Sequence, residues 1–344
     1  MLNVKKEGII LEKTNLSFEN EGVLNPAAIK EGNYVHMFYR AVHTGNHSSI
    51  GYCMLNGPLQ VEDRHYKPIL VPEFDYESQG MEDPRIVKIE DLYYLTYTAF
   101  DGVNALGCYA TSTDLIHFDK RGILVPQITY EAFHLLSNTN PSMDSKYFRY
   151  NQHEGILMKD GIKMLVWDKN LIFFPRKING KFYFMHRIRP EIQILVGVTN
   201  LEDLTTEFWE NYFLHFNEYV LLSPKFDHEI SYIGGGCPPI ETDAGWLVIY
   251  HGVKDSLKGY VYAACAALFE LDNPQKEIAR LPYPLFKPEY VWELKGEVNN
   301  VCFPTGAVVF DDTLYIYYGA ADERIACASV CLKDLLNELI VYKI

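Results

Sequence analysis

Short runs of apolar and aromatic residues alternate with turn residues along this chain, and one order of elements returns five times. The first copy has a Pro-containing run at 25–29, a Gly-containing turn, an aromatic run at 34–41 and a third run at 50–53. This order predicts three short strands joined by a turn and a loop. The aromatic runs of the later copies lie at 93–99, 183–187, 246–252 and 314–320.

Five copies of this pattern predict an all-β fold, and a five-bladed β-propeller is the favoured arrangement. A β-sandwich competes with it, but a sandwich does not predict the same Pro, turn and aromatic order five times. We expect residues 1–344 to form a single propeller domain with an insertion around 130–167. A helical segment at 201–215 is predicted to connect two blades. In a propeller the first strand of each blade lines the central channel, where ligands bind.

The formal net charge of −14 over 344 residues argues against a nucleic-acid partner, although one small anion could still bind in a local basic pocket. The N-terminal residues lack the pattern of a secretory signal, and no apolar run is long enough to cross a membrane. We therefore expect a cytoplasmic protein without a membrane partner. Seven Cys without a C-x-x-C pair, and no Asp-rich loop or Cys/His cluster, predict neither a disulfide framework nor a metal site.

One carboxylate stands out when the copies are aligned on their proline. Only Asp83 is acidic among the five residues that directly precede this proline, and burying a charge is costly unless it is paired or used. An ion pair with Arg85 or a turn-capping role is the structural alternative. The aligned residues are Asn25, Asp83, Phe174, Cys237 and Phe303.

Polar and basic residues gather at one end of the second strands, and Asp322 adds a second carboxylate just beyond the last of them. Two separated carboxylates with basic and aromatic neighbours suit cleavage of a glycosidic bond. The glycine run 234–236 lacks the Lys-Ser/Thr of a nucleotide-binding loop. The second-strand residues are Arg40, Thr98, Arg187, His251 and Gly319, with His186 replacing the preceding aromatic residue.

The segments Met81-Glu82-Asp83-Pro84-Arg85-Ile86, Gly234-Gly235-Gly236-Cys237-Pro238-Pro239-Ile240 and Tyr318-Gly319-Ala320-Ala321-Asp322 resemble glycoside hydrolase family 130, the β-mannoside phosphorylases and β-mannosidases. The resemblance runs from about 25 to 335. It implies a five-bladed propeller in which Asp83 is the general acid of an inverting reaction on a terminal mannosyl unit. The candidate substrate-binding residues are Asn25, Arg40, Ser49, Arg85, Tyr232, His251 and Asp322.

The nucleophile separates the two branches of the family. Phosphorylases hold inorganic phosphate with a basic set, whereas in the hydrolases a carboxylate activates water. In this chain the basic residues expected of a phosphorylase are replaced by residues 100–104 and by Tyr232. The candidate bases that would activate water are Glu229, Asp101 and Glu154. Glu229 is favoured because it precedes an inner strand. Possible phosphate-binding residues are Lys169, Lys177, His186 and Arg187.

The sequence thus favours a β-mannosidase that acts on β-1,2-linked mannosides and releases mannose. The alternative is a phosphorylase that uses inorganic phosphate as co-substrate and gives α-mannose 1-phosphate. A non-catalytic carbohydrate-binding propeller and a retaining enzyme of sialidase or arabinanase type are further alternatives. In every case we expect an oligosaccharide or mannoside ligand and no cofactor, and the oligomeric state stays open.

Overall fold

The chain folds into antiparallel four-stranded groups that follow one another along the sequence. A computed structural model describes residues 2–155, 163–257 and 259–344. Within these residues most of the secondary structure is β, and five such groups are present, which we call units one to five. The sequence repeats therefore correspond to real structural repeats.

The strands follow chain order in the first four units. Unit one is β2 (Gly22–Glu31), β3 (Tyr34–His43), β4 (His47–Asn56) and β5 (Gln60–Arg64). Unit two is β6 (Gly80–Ile89), β7 (Leu92–Phe100), β8 (Ala105–Ser112) and β9 (Asp119–Ile123). Unit three is β10 (Lys169–Phe173), β11 (Phe182–Arg187), β12 (Ile192–Val198) and β13 (Val220–Leu222). Unit four is β14 (Tyr232–Gly235), β16 (Gly245–Ser256), β17 (Gly259–Phe269) and β18 (Glu277–Arg280), with β15 (Ile240–Thr242) also paired to β16.

Unit five is completed by the other end of the chain. It contains β19 (Cys302–Phe310), β20 (Thr313–Ala320) and β21 (Arg324–Cys331), and its outermost strand is β1 (Lys5–Leu11), which pairs with β21. Units one and two are joined by a parallel contact between Ser48 and Gly80.

Buried apolar residues fill the spaces between successive units. Separate clusters lie between units one and two, two and three, three and four, and four and five. A fifth cluster, which includes Val35, Met37, Val308 and Tyr317, lies between units five and one. Each unit thus buries both of its faces against its neighbours, and the last unit packs against the first.

The first strands of units one to three share a break in pairing that fixes which residues correspond. Leu24, Glu82 and Lys169 pair with Arg40, Thr98 and Arg187, and the ladder then shifts register. The next residues, Asn25, Asp83 and Asn170, all have positive φ angles near 50°. The proline-based alignment was therefore wrong in the third copy by four residues, because Asn170 and not Phe174 corresponds to Asp83.

The same pairing changes the last two copies. Gly234 pairs with His251 and Phe303 pairs with Gly319, so the residues that correspond to Asp83 are Gly235 and Pro304 instead of Cys237 and Phe303. The second-strand alignment is confirmed by these pairs. Asp83 is still the one carboxylate at its position in the five described units.

The helices lie outside the strand groups. The predicted insertion contains α1 (Tyr130–Thr139) and α2 (Ser145–Gly155), and α3 (Thr206–Leu214) falls in the segment predicted to be helical. The remaining helices are α4 (Val291–Leu294) and α5 (Leu332–Val341). None of the helices in the described ranges is both long and apolar enough to span a bilayer.

Candidate functional site

A polar cavity of about 170 Å³ lies where the first strands of several units meet. Its walls carry carboxylates, cations, amides and aromatic rings. The lining residues are Asn25, Arg40, Glu82, Asp83, Lys169, Asn170, Arg187, Arg189, Tyr232, Tyr262, Val301, Phe303 and Asp322. The structure therefore brings together seven of the residues proposed from sequence: Asn25, Arg40, Asp83, Lys169, Arg187, Tyr232 and Asp322.

Asp83 is partly exposed to the cavity and is oriented by a neighbouring amide. Asn25 Nδ2 donates to Asp83 Oδ1 over 2.6 Å. Gly319 makes room for this amide, because a Cβ at Gly319 would come within 2.0 Å of Asn25 Oδ1. The break in the first strands thus turns Asp83 into the cavity and allows unit one to hold its carboxylate.

Asp322 lies in the same cavity and has an altered acidity. Burial, and then the negative charge of Asp83, raise the pKa of Asp322 to about 7, although Arg40 opposes this. Near neutral pH this carboxyl group, which faces the same cavity as Asp83, is therefore protonated in about half of the molecules. Such a pair of carboxyl groups in different environments is typical of acid–base sites.

Glu82 is a third carboxylate in the cavity, and its charge is compensated. It forms ion pairs with Arg40 Nη2 at 2.9 Å and with Lys169 Nζ at 3.3 Å. Burial raises the pKa of Glu82, but the two cations outweigh burial and lower it below its usual value. Burial likewise lowers the pKa of Arg40, and Glu82, Asp83 and Asp322 reverse this and raise it.

The opposite wall is cationic and aromatic. Lys169 and Arg187 are cross-strand partners on β10 and β11, and Arg189 follows two residues later. The guanidinium groups of Arg187 and Arg189 lie 5.5 and 4.5 Å from the ring centre of Tyr232. Tyr232 also shares a short hydrogen bond with the hydroxyl of Tyr262. Four cations therefore face three carboxylates in a protein whose net charge is strongly negative.

Two of the proposed phosphate-binding residues lie elsewhere. His186 is fully buried, with Nδ1 2.8 Å from Asp168 and Nε2 2.8 Å from the Tyr212 hydroxyl. Lys177 forms an ion pair with Glu90 at 3.2 Å near the hairpin turn of unit three. Neither side chain lines the cavity.

Three proposed substrate-binding residues are also outside the cavity wall. Arg85 is buried and donates to the backbone oxygens of Gly236, at 2.7 Å, and of Asp83. It supports the backbone of the Asp83 loop and does not pair with its carboxylate. Burial lowers the pKa of Arg85 to about 10.

Ser49 and His251 are buried in strands β4 and β16. The His251 ring packs 4.4 Å from Phe303, which itself lines the cavity. Burial, followed by Arg187, Arg85 and Arg189, lowers the pKa of His251 well below its usual value. His251 is thus a neutral ring beneath the cavity.

Glu229, the favoured base, is fully buried in a structural network away from the cavity. Its oxygens accept hydrogen bonds from Tyr250 Oη at 2.5 Å and Arg280 Nη2 at 3.1 Å. They also accept from the backbone N–H groups of Lys225 and Phe226. A carboxylate with all of these partners cannot reach a water molecule in the cavity.

The same network recurs in three other units. In each of them a buried Glu accepts a hydrogen bond from a Tyr on the second strand, directly before the aligned residue Arg40, Thr98 or Gly319. The same Glu pairs with a cation on the outermost strand. The sets are Glu19 with Tyr39 and Arg64, Glu77 with Tyr97 and Lys120, and Glu293 with Tyr318 and Lys6. The sequence carried this signal in the spacing Phe74-x-x-Glu77, Phe226-x-x-Glu229 and Tyr290-x-x-Glu293.

Of the other two candidate bases, Asp101 does not line the described cavity. Asp101 Oδ1 accepts from the backbone N–H groups of Val103 and Asn104 at 2.8 and 2.6 Å and so caps a turn. The side chain of Glu154 lies outside the described residues.

The sequence prediction missed Glu82, Asn170, Arg189 and Tyr262. Glu82 directly precedes Asp83, and its charge was a usable signal. Asn170 became visible only after the true pairing of β10 was known. Arg189 and Tyr262 lie outside the aligned positions, and their approach to the cavity depends on the tertiary fold.

The arrangement can donate a proton, hold sugar hydroxyls and bind an anion. Asp83 and Asp322 provide carboxyl groups, Asn25 and Asn170 provide amides, and the cationic wall suits an oxyanion such as phosphate.

Comparisons with known proteins agree with this chemistry. A family model described as beta-1,4-mannooligosaccharide phosphorylase, for glycoside hydrolase family 130, matches residues 7–340. A 1,2-beta-oligomannan phosphorylase from Thermoanaerobacter is 32% identical over 339 residues, covering 95% of this chain and 96% of the relative. A beta-1,2-mannobiose phosphorylase from the same organism is 34% identical over 330 residues, covering 91% of both chains.

The fold is also that of a solved member of this group. The beta-1,2-mannobiose phosphorylase from Listeria innocua, in complex with beta-1,2-mannobiose, superposes with a TM-score of 0.74 at 20% identity, covering 99% of this chain and 100% of the other. The family model and the two relatives place the chain among glycoside-active enzymes. The chain belongs to glycoside hydrolase family 130, as its motifs indicated.

Proposed function

We propose that this protein is an inverting β-mannoside phosphorylase that cleaves β-1,2-linked mannosides with inorganic phosphate and forms α-mannose 1-phosphate. This is the alternative that the sequence left open, and it replaces the β-mannosidase as the preferred function. Its fold would be one five-bladed propeller domain over residues 1–344, with α1 and α2 as an insertion. The propeller is supported by the five cores between successive units and by the packing of unit five on unit one.

The cationic wall of the cavity is the main observation in favour of phosphate, and not water, as the nucleophile. Lys169, Arg187 and Arg189 line the same cavity as Asp83, whereas Glu229 does not. Additional carboxylates without partners would repel a phosphate dianion and would thus favour water as the nucleophile. That argument loses its basis, because Glu82 is paired with Arg40 and Lys169, and Glu229 lies elsewhere.

The proposed reaction is a single displacement. Asp83 protonates the glycosidic oxygen, the bond from that oxygen to C1 breaks, and a phosphate oxygen forms a bond to C1 from the opposite face. The proton that Asp83 loses is replaced from monohydrogen phosphate or solvent. Lys169, Arg187 and Arg189 hold the phosphate through charge-assisted hydrogen bonds, and Arg40, Asn25 and Asp322 hold the mannosyl unit.

The linkage rests on the relatives. Two Thermoanaerobacter proteins that match nearly the whole chain are named for β-1,2-linked mannosides. The family model carries a β-1,4 description, so the linkage is the part of the proposal that needs its own substrate comparison.

A β-1,2-mannosidase is the second candidate. It is favoured by Tyr232, which stands where a basic residue was expected before the glycine run. Water would then attack C1 in place of phosphate, and mannose would be the product.

Incubation of the enzyme with β-1,2-mannobiose and with β-1,4-mannobiose, each with and without inorganic phosphate, tests the proposal. We expect phosphate-dependent consumption of the β-1,2 disaccharide and equal amounts of mannose and α-mannose 1-phosphate. Release of mannose alone at the same rate without phosphate would establish the hydrolase instead.

A further inference from the structure

Unit three differs from its neighbours in the buried network beneath the cavity. In the four other described units a Tyr at this position bonds a buried Glu that lies before the first strand. In unit three the Tyr is replaced by His186, and the acid is Asp168, which directly precedes Lys169. The exceptional network thus occurs in the unit that supplies the most cations to the cavity.

Asp168 connects the two strands that carry Lys169 and Arg187. Its carboxylate accepts the His186 Nδ1–H at 2.8 Å and the backbone N–H of Arg187 at 3.2 Å. His186 is held in turn by the Tyr212 hydroxyl from α3, 2.8 Å from Nε2. All three side chains of the network are buried.

The backbone of Asp168 is anchored to unit two. Its N–H donates to Ala105 O at 3.0 Å, and its carbonyl accepts from Gly107 N at 2.9 Å. The side chain and the main chain of one residue therefore join β8, β10, β11 and α3.

The need for such a connection follows from the strand pairing. Lys169 pairs with Arg187, but the ladder between β10 and β11 then shifts and resumes only at Ile172 and Met185. Regular pairing between β10 and β11 is therefore interrupted directly after the two residues that carry the cations. The hydrogen bond from Arg187 N–H to Asp168 adds a link between the two strands at this end.

We propose that Asp168 is a positioning residue for the phosphate subsite, holding Lys169 and Arg187 so that both cations face one anion. The inference rests on the proposed function. It does not give Asp168 any contact with substrate, since Asp168 does not line the cavity.

The test compares Asp168→Ala with a matched variant in unit two, Glu77→Ala, whose partners Tyr97 and Lys120 are also outside the cavity. In Asp168→Ala we expect the KM for phosphate to rise about tenfold, because the charged hydrogen bonds that orient the subsite are lost. The KM for β-1,2-mannobiose should change less than about twofold, because the residues that hold the mannosyl unit keep their contacts. Glu77→Ala should leave both KM values near those of the wild type.

Asp168→Asn keeps an oxygen for Arg187 N–H and should return the KM for phosphate to within about threefold of the wild type. It also serves if the alanine variant does not fold. An equal rise of both KM values in Asp168→Ala, or the same selective rise in Glu77→Ala, would overturn the positioning role. Absence of mannose 1-phosphate with the wild type would instead overturn the proposed function. The thermal shift caused by inorganic phosphate would then test the inference by itself, in the wild type, Asp168→Asn and Asp168→Ala. A shift in Asp168→Ala equal to that of the wild type would reject the positioning role.

Discussion

At the scale of single residues, the position of Asp83 is defined by its backbone as much as by its charge. The positive φ angle and the break in strand pairing turn the carboxylate into the cavity, where Asn25 donates to it. Asn25 and Asn170 have the same conformation at the corresponding positions, so the conformation belongs to the fold and only the carboxylate is special.

Asp83→Asn should therefore remove turnover without removing the fold. An amide cannot protonate the leaving oxygen, and loss of a general acid costs about 10²–10⁴ in rate. Asparagine is accepted at this backbone conformation in units one and three, so the melting temperature should change by only a few degrees. Initial rates of mannose 1-phosphate formation and a thermal melt measure both quantities. A rate near that of the wild type would exclude Asp83 as the acid.

Asp322 makes stability depend on pH. Its folded pKa of about 7 lies above the ordinary value of 3.8, so the folded protein binds a proton more tightly than the unfolded chain. The contribution of Asp322 to stability is therefore present at low pH and is lost as the pH rises from about 4 to about 7, by up to about 4 kcal/mol.

Asp322→Asn removes the cost of ionising a buried carboxyl group at high pH. We expect the variant to be more stable than the wild type at pH 8 and to show little difference at pH 4, by urea unfolding at each pH. An advantage of the same size at both pH values would contradict a raised pKa for Asp322. The variant should also bind mannoside less well, because it loses a carboxylate that lines the cavity.

At the scale of elements, the short turn before each first strand is held by a buried Glu. Glu19, Glu77, Glu229 and Glu293 each link such a turn to a Tyr on the second strand and a cation on the outermost strand. This linkage holds the turn against the second and outermost strands of its own unit, outside the cavity.

Glu229→Gln should consequently weaken the fold and spare the chemistry. Removing one partner of a buried ion pair costs about 3–5 kcal/mol, because Arg280 is left without its charge partner. The folded fraction should keep a kcat within about threefold of the wild type, since Glu229 lies outside the cavity. Urea unfolding and the activity per folded molecule separate the two effects. A loss of more than about a hundredfold in kcat with unchanged stability would restore Glu229 as a catalytic base.

At the scale of the whole molecule, the two ends of the chain meet in unit five. Strand β1 pairs with β21, and Lys6 forms a buried ion pair with Glu293, whose carboxylate also accepts from Tyr318 at 2.6 Å. Unit five therefore acquires its cation from the first residues of the chain.

Lys6→Ala should destabilise the entire protein. It leaves the buried Glu293 without its cation, at a cost of about 3–5 kcal/mol. Lys5→Ala is the matched control, because Lys5 is 71% exposed and pairs only with Glu7 in the described contacts, so its effect should stay within about 0.5 kcal/mol. Calorimetry of the two variants measures the difference. Equal melting temperatures would show that β1 does not hold unit five.

The sequence by itself determined the repeats, their strand order, the exceptional Asp83 and the family, because these depend on residue type and local spacing. Tertiary structure decided which residues face the cavity. The pairing of β10 shows that Asn170, four residues before Phe174, corresponds to Asp83. Arg189 and Tyr262 line the cavity because of the path of a loop and the face of a strand. The same contacts excluded four other candidates. Glu229 and His186 are held by buried partners, Arg85 bonds backbone oxygens, and Lys177 pairs with Glu90 away from the cavity.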